Sequence, residues 1–407
     1  MRLREALQDK ADTLRGSLFF FLAYMPNGIY YPFISIYYKE IGLNMSQIGI
    51  ISAVSLFVPM AVQTLWGRLA DRTGRRRILM LTLLLSGLSL PLLHFGQGYA
   101  YALLITLLFV AMNTSTQPLT ETIALDYCQA RRLRFAPMRV WGSIGFGVVP
   151  IAIGGLLDQD IGNMLWLYPV VSAVAVASCL LMPRGQAGLA QGARAKGEKG
   201  TLRRLLKDPL VDFVLMVNFA VALCMGMSNF LPVYAVEMGV STDLAGKLNT
   251  VSAACEVPFY LFVDFFLRKR SKEQVMLFTL LTTVLRMLIA YVAGFFPAQG
   301  FLLLCASQML HSVSYVCMSF CSVQLIHAHV PEQHKATAQT LVAMIALGLA
   351  RAAGSLIFGQ MGDSLGLQSA YLALSGIIAA GAIPSLLLYR RMRRAAQGAL
   401  AQGVQAG

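Results

Sequence analysis

Long apolar runs broken by short polar stretches recur along this chain from end to end. Reading between charges and Gly/Pro breaks predicts helices near 17–38, 47–66, 77–96, 100–127, 137–157 and 163–183. A second set follows near 209–235, 243–267, 273–296, 300–326, 338–360 and 368–390. Each run approaches the roughly 20 residues needed to cross hydrocarbon, and twelve of them would use on the order of 240 to 270 positions. In lipid a backbone satisfies its polar groups within the segment only as a helix, so the expectation is an all-α membrane protein with twelve transmembrane helices.

One stretch breaks the rhythm. Residues 185–208, GQAGLAQGARAKGEKGTLRRLLKD, are rich in Gly, Ala and basic residues and read as a flexible linker. It divides two six-helix bundles, 17–184 and 209–391, with a tail at 392–407. Residues 1–16 carry Leu3, Leu7, Ala11 and Leu14 at helical spacing among charges, which predicts an interfacial amphipathic segment, not a cleaved signal.

Composition agrees with a chain dissolved in lipid: 57% of the 407 residues are hydrophobic and 13% charged, against about 45–50% and about 25% in soluble domains. The net charge of +14 marks topology; the basic residues are neither gathered on one face nor interleaved with aromatics, so nucleic acid is not an expected partner. Lys and Arg crowd before helix 1, in loops 2/3, 4/5 and 8/9, in the linker and in the tail, while only Lys39 and Lys247 fall in loops of the opposite side. The positive-inside rule then places both termini and the linker in the cytoplasm of a multi-pass plasma (inner) membrane protein. The seven cysteines lack the clustered pairs of a zinc site or redox motif and read as core residues.

Against this background the buried ionisable residues stand out: Glu121, Arg139, Glu256, Arg286, His311 and Arg351. A charge in hydrocarbon costs at least about 2.5–3.5 kcal/mol on insertion scales, so each needs a partner, a wet cavity or both. In an antiparallel hairpin, residues equidistant from the turn share a height. Glu121 and Arg139 straddle the loop at 130, Glu256 and Arg286 the loop at 271, and Arg286 and His311 the turn near 298–299. The arithmetic therefore predicts two charge clusters, one per half, facing a shared aqueous cavity, with the substrate site expected between the halves. A carboxyl group, a guanidinium and an imidazole in one layer suit proton-coupled exchange. Ion pairs that merely hold helices together are the alternative.

The loop from Gly67 to Arg77, GRLADRTGRRR, sets Gly67, Asp71, Arg72, Gly74 and Arg75 in a spacing that resembles the helix 2/3 loop of the major facilitator superfamily, and VDFFLRKRSKE is its degraded echo after helix 8. The resemblance implies two pseudo-symmetric six-helix bundles, the major facilitator fold, with this loop as a gate. Within it, NGIYYPFISIYYKEIGL, the segment Pro118–Gly142, ACEVPF, TVLRML and QMLHSVSY resemble the lactose-permease-type oligosaccharide/proton symporters and the related phenylpropionate permeases. That resemblance implies substrate binding by Glu121 and Arg139, with Tyr30, Tyr31, Phe146 and Arg286 nearby, and proton coupling by Glu256, Arg286 and His311. Departures accompany it: Gln308 and Ser314 stand where the sugar permeases carry a lysine and a glutamate, Ala222–Tyr234 lacks acids, and Phe146 replaces a tryptophan that stacks on sugar. Asp126 is expected to pair with Arg131 or Arg134, and Arg351 has no evident acidic partner. Three arginines against two carboxylates favour an anionic substrate.

No phosphate loop, nucleophile elbow or zinc-helix motif occurs, so neither ATP-driven transport nor hydrolysis is expected. HAHVPEQH lies in a loop and is not read as a metal site. The expectation is a non-enzymatic secondary transporter without cofactor, driven by protons, importing a small polar or anionic solute as a monomer in the lipid bilayer. A proton-coupled antiporter, suggested by GSIGFGVVPIAIGG in helix 5, and a non-transporting nutrient receptor are the alternatives.

Overall fold

The computed structural model describes residues 2–183, 205–267 and 270–405. Among the described residues there is no strand, and twelve long helical passes follow one another. They are α1 (Arg2–Glu40), α2 (Met45–Thr73), α3 (Arg75–Phe95), α4 (Tyr99–Arg131), α5 (Phe135–Gln159) and α6 (Asn163–Leu181). Then come α7 (Pro209–Glu237), α8 (Thr242–Leu267), α9 (Lys272–Ala293), α10 (Pro297–His329), α11 (Glu332–Leu365) and α12 (Leu367–Gln405). Most of the region read as a linker lies outside the described residues.

Over the described residues, ten of the passes are long and apolar enough to cross a membrane by length and composition. Polar residues and prolines interrupt the other two. α1 carries Asn27, Pro26, Pro32 and a series of tyrosines, and α8 carries Asp243, Lys247, Asn249 and Glu256. Elsewhere large apolar side chains such as Leu88, Leu104, Leu281 and Leu302 lie exposed, as a hydrocarbon solvent allows.

Local chemistry sets the ends. Asn44 accepts from the Gln47 amide at 2.8 Å while the Gln47 side chain accepts from the Asn44 amide at 3.1 Å, a reciprocal cap that starts α2. Ser271 and Gln274 repeat the device at α9. Gly74, at φ +103, ends α2 and starts α3 in a conformation that a side chain resists. Gly67, by contrast, has open space where a Cβ would sit.

Backbone proximity divides the described chain into two units: residues 2–183 with 229–254, and residues 205–228 with 255–267 and 270–405. In the first, glycines let α1 and α5 touch. A Cβ on Gly28 would lie 2.4 Å from the Phe146 carbonyl oxygen, and one on Gly145 would lie 2.2 Å from that of Phe21. The core beside this seam is Phe19, Phe20, Leu79, Ile123, Tyr127 and Met138. The end of α7 and the first half of α8 belong to the same unit: Asp158 accepts from the Thr242 amide at 2.7 Å, the Thr250 hydroxyl donates to Gly147 O at 3.2 Å, and Lys39 lies 3.4 Å from Glu237.

α1 runs without a break through the stretch read as an amphipathic segment. Its Asp12 is 4% exposed and pairs with Arg131 of α4, with the Tyr127 hydroxyl donating to it at 3.0 Å. In the second unit, α9 and α10 meet through hydroxyls, Thr282 and Ser314 at 2.8 Å, and Asn218 of α7 donates to Ser322 at 2.7 Å. α7 and α11 cross where Gly226 and Gly354 admit each other's backbone.

Candidate functional site

Glu121 lies ten residues before the end of α4 and Arg139 four residues into α5 (131 − 121 and 139 − 135). The turn sits at Arg132–Arg134, later than the hairpin arithmetic assumed, so the two backbones are not level. The long guanidinium arm spans the difference. Arg139 Nε donates to Glu121 Oε1 at 3.0 Å, and the Tyr24 hydroxyl of α1 donates to the same oxygen at 2.8 Å. The guanidinium also lies over the Tyr24 ring, 4.7 Å from its centroid. Both charged side chains keep a third or more of their surface open, 35% for Arg139 and 44% for Glu121. Gly142, one turn from Arg139, leaves the room: a Cβ there would crowd the guanidinium and the Tyr24 ring at 3.3 Å.

Tyr24 is the residue that sequence reasoning missed. Of the aromatics it nominated, Tyr30 is 6% exposed and packs on Phe109 at 4.3 Å, and Tyr31 is exposed. Phe146 is half-buried, its carbonyl pressed on Gly28. A signal was present: Phe20, Tyr24 and Gly28 recur every four residues, so they share the α1 face that meets α5.

In the second unit Arg286 is 2% exposed, and its Nη1 lies 2.6 Å from His311 Nδ1. Guanidinium has no acceptor, so Nδ1 must offer its lone pair and the ring is neutral with its proton on Nε2. His311 stacks on Tyr315, one turn on. Arg351 lies within electrostatic range of His311. Glu256, expected in the same layer, is half-buried and has no hydrogen bond or ion pair among the described residues. The structure thus joins two of the three groups. Four buried polar atoms here find no hydrogen-bond partner among the described residues: Arg286 Nε and Nη2, Ser307 Oγ and Gln308 Oε1.

At the junction of α2 and α3, Arg75 pairs with Asp126 and stands 4.0 Å from Asp71. This corrects the expected partner of Asp126: Arg131 is taken by Asp12, and the first turn of α3 brings Arg75 to the end of α4. Gly74 makes the turn, and Arg72 occupies the last turn of α2.

The sequence pattern of the MFS_1 like family matches residues 13–373. The chain belongs to that family. It is a multi-pass membrane transporter with the major facilitator fold. Among its relatives is the maltose permease of Geobacillus stearothermophilus, 26% identical over 93% of this chain and 95% of that one. Another is the probable 3-phenylpropionic acid transporter of Escherichia coli (strain K12), 23% identical over 66% of this chain and 72% of that one. The solved structure of the nucleoside transporter NupG superposes with a TM-score of 0.80 at 18% identity, over 93% of this chain and 99% of the other.

Proposed function

We propose that this protein is a proton-coupled symporter that imports a small polar or anionic organic solute by alternating access. Sugars, nucleosides and aromatic or sugar carboxylates are the candidate classes, matching what its relatives are named for. It acts as a monomer, needs no cofactor, catalyses no chemical conversion and keeps both termini in the cytoplasm, where its basic loops place them. Glu121, Arg139 and Tyr24 hold the substrate. Glu256 carries the proton, with Arg286 and His311 as its partners in coupling, and the Gly67–Arg75 loop gates.

The observation that carries the reading is the Glu121–Arg139 pair. Glu121 sits about 15 Å along the helix from the end of α4, near the middle of a hydrocarbon layer about 30 Å thick. There an ion pair with a third or more of its surface open needs water or a polar ligand against it.

Uptake of labelled solutes into proteoliposomes, with and without an inward proton gradient, tests the function. Concentrative uptake that collapses with the gradient is expected, and accumulation driven by an outward gradient would establish antiport instead. Glu256→Gln should keep solute exchange and lose accumulation; unchanged concentrative uptake removes Glu256 from the proton path.

A further inference from the structure

Arg286 holds its charge in an unusual way for a buried guanidinium. Nη1 is engaged by His311, which is neutral, and among the described residues no carboxylate contacts the group. Nε and Nη2 are buried and bare. These two nitrogens form one edge of the guanidinium plane, with parallel N–H bonds spaced like the two oxygens of a carboxylate, the fork that binds such a group in bidentate fashion. An enclosed cation with its better edge empty is expensive unless a ligand completes it.

The surroundings extend the fork. Ser307 and Gln308 precede His311 by one turn on α10, are 1% and 3% exposed, and each has an oxygen without a partner. A hydroxyl donates as readily as it accepts, and an amide turned over presents its NH2 in place of its oxygen. Hydroxyl and amide can thus offer further donors one turn from the His311 that holds the guanidinium. His311 fixes the plane by holding the far nitrogen, and the Thr282–Ser314 bond, one turn along both helices, locks α9 to α10 behind it. The site is prepared in advance for a planar anion.

We infer that the α9/α10 hairpin is a carboxylate subsite: the bare Nε/Nη2 edge of Arg286, backed by Ser307 and Gln308, binds the carboxylate of an organic acid, which makes the transported solute an anion. This rests on the transport reading above and narrows it.

The test uses the full chain purified in detergent and matched probes, 3-phenylpropionate with 3-phenylpropanamide and glucuronate with glucuronamide. Sodium chloride at equal ionic strength serves as the simple anion, and maltose and adenosine as neutral solutes. Thermal stabilisation by at least one carboxylate, exceeding that of its amide and of chloride, is expected. Arg286→Lys keeps the charge and loses the fork, so affinity for that acid should fall at least about tenfold while Arg286→Gln abolishes binding. Size-exclusion profiles of both variants separate misfolding from loss of the site. Stabilisation by chloride equal to that by the acids, affinity unchanged in Arg286→Lys, or no acid exceeding its amide each overturns the subsite. Uptake in proteoliposomes separates the two readings. Transport of maltose or adenosine indifferent to Arg286→Lys keeps the transporter and removes the subsite, whereas carboxylate binding lost in Arg286→Lys without any uptake keeps the subsite and removes transport.

Discussion

In the first unit Arg139 gives its Nε to Glu121 and its face to Tyr24, and both charged groups stay partly open. In the second, Arg286 is enclosed, meets a neutral imidazole, and leaves its fork bare. One arginine is neutralised by the protein; the other waits for something the protein does not supply. A self-satisfied pair can open to admit a hydroxyl-rich solute and close again at little cost, because exposed ion pairs are worth little net. An enclosed unmatched cation selects for charge.

The sharpest way to break this contrast is to remove either half of the first pair. Glu121→Ala and Arg139→Ala should each reduce solute uptake in proteoliposomes to the background of empty vesicles. Because both groups are partly exposed, stability in chemical denaturation should change by no more than about 1 kcal/mol. Full uptake in both variants would strip the pair of its role in binding.

Arg286→Met should do the reverse. Each unsatisfied buried donor costs about 1–3 kcal/mol, and the substitution removes two while leaving one orphan, the Nδ1 of His311. A net gain in unfolding free energy of about 1–3 kcal/mol is expected, together with loss of transport. A protein destabilised by the change would mean that Arg286 is matched in a way the present geometry does not contain.

Which of these features were legible in the sequence follows from what helical periodicity can carry. The passes were, because hydrophobic length alone sets them, and even α1 and α8, interrupted by polar residues, are bounded by charges and turns. The two charged couples were also legible, since a hairpin fixes relative height closely enough for long side chains to do the rest. Rotation about the helix axis was not. Glu256 lies eleven residues before the end of α8 and Arg286 fourteen after the start of α9 (267 − 256 and 286 − 272), a better match in height than either couple that does meet. Among the described residues the two do not touch. Tyr24 was missed for the same reason: which face of α1 turns toward Arg139 is decided by Gly28 and Gly145, where backbone meets backbone.

Tyr24→Phe isolates that face. The ring stays over the guanidinium and only the hydrogen bond to Glu121 is lost, a change of about 1 kcal/mol or roughly fivefold in half-saturation concentration. A loss as complete as that of Glu121→Ala would promote Tyr24 from a support of the pair to a direct ligand of the solute.

The smallest effects are expected where the charges are paired and exposed, at the α2/α3 turn. Arg75 reaches Asp126 more closely than Asp71, and both acids are about half open to solvent, 53% and 44%. Neither pair should contribute more than about 1 kcal/mol to stability. Their effect should appear in rate: a contact between the turn and the end of α4 holds one arrangement of the helix ends, and loosening it changes how fast that arrangement exchanges without touching the groups around Glu121. Asp126→Asn should therefore slow initial uptake more than Asp71→Asn does, with half-saturation concentrations within about twofold of the unaltered protein for both. If Asp71→Asn proves the slower variant, the 4.0 Å approach to Arg75 understates its part, and the role assigned to the loop rests on Asp71 meeting some other helix end. A fall in affinity from either substitution would place the turn in communication with the solute itself, and the division drawn here between a gate of paired charges and a pocket of working ones would fail.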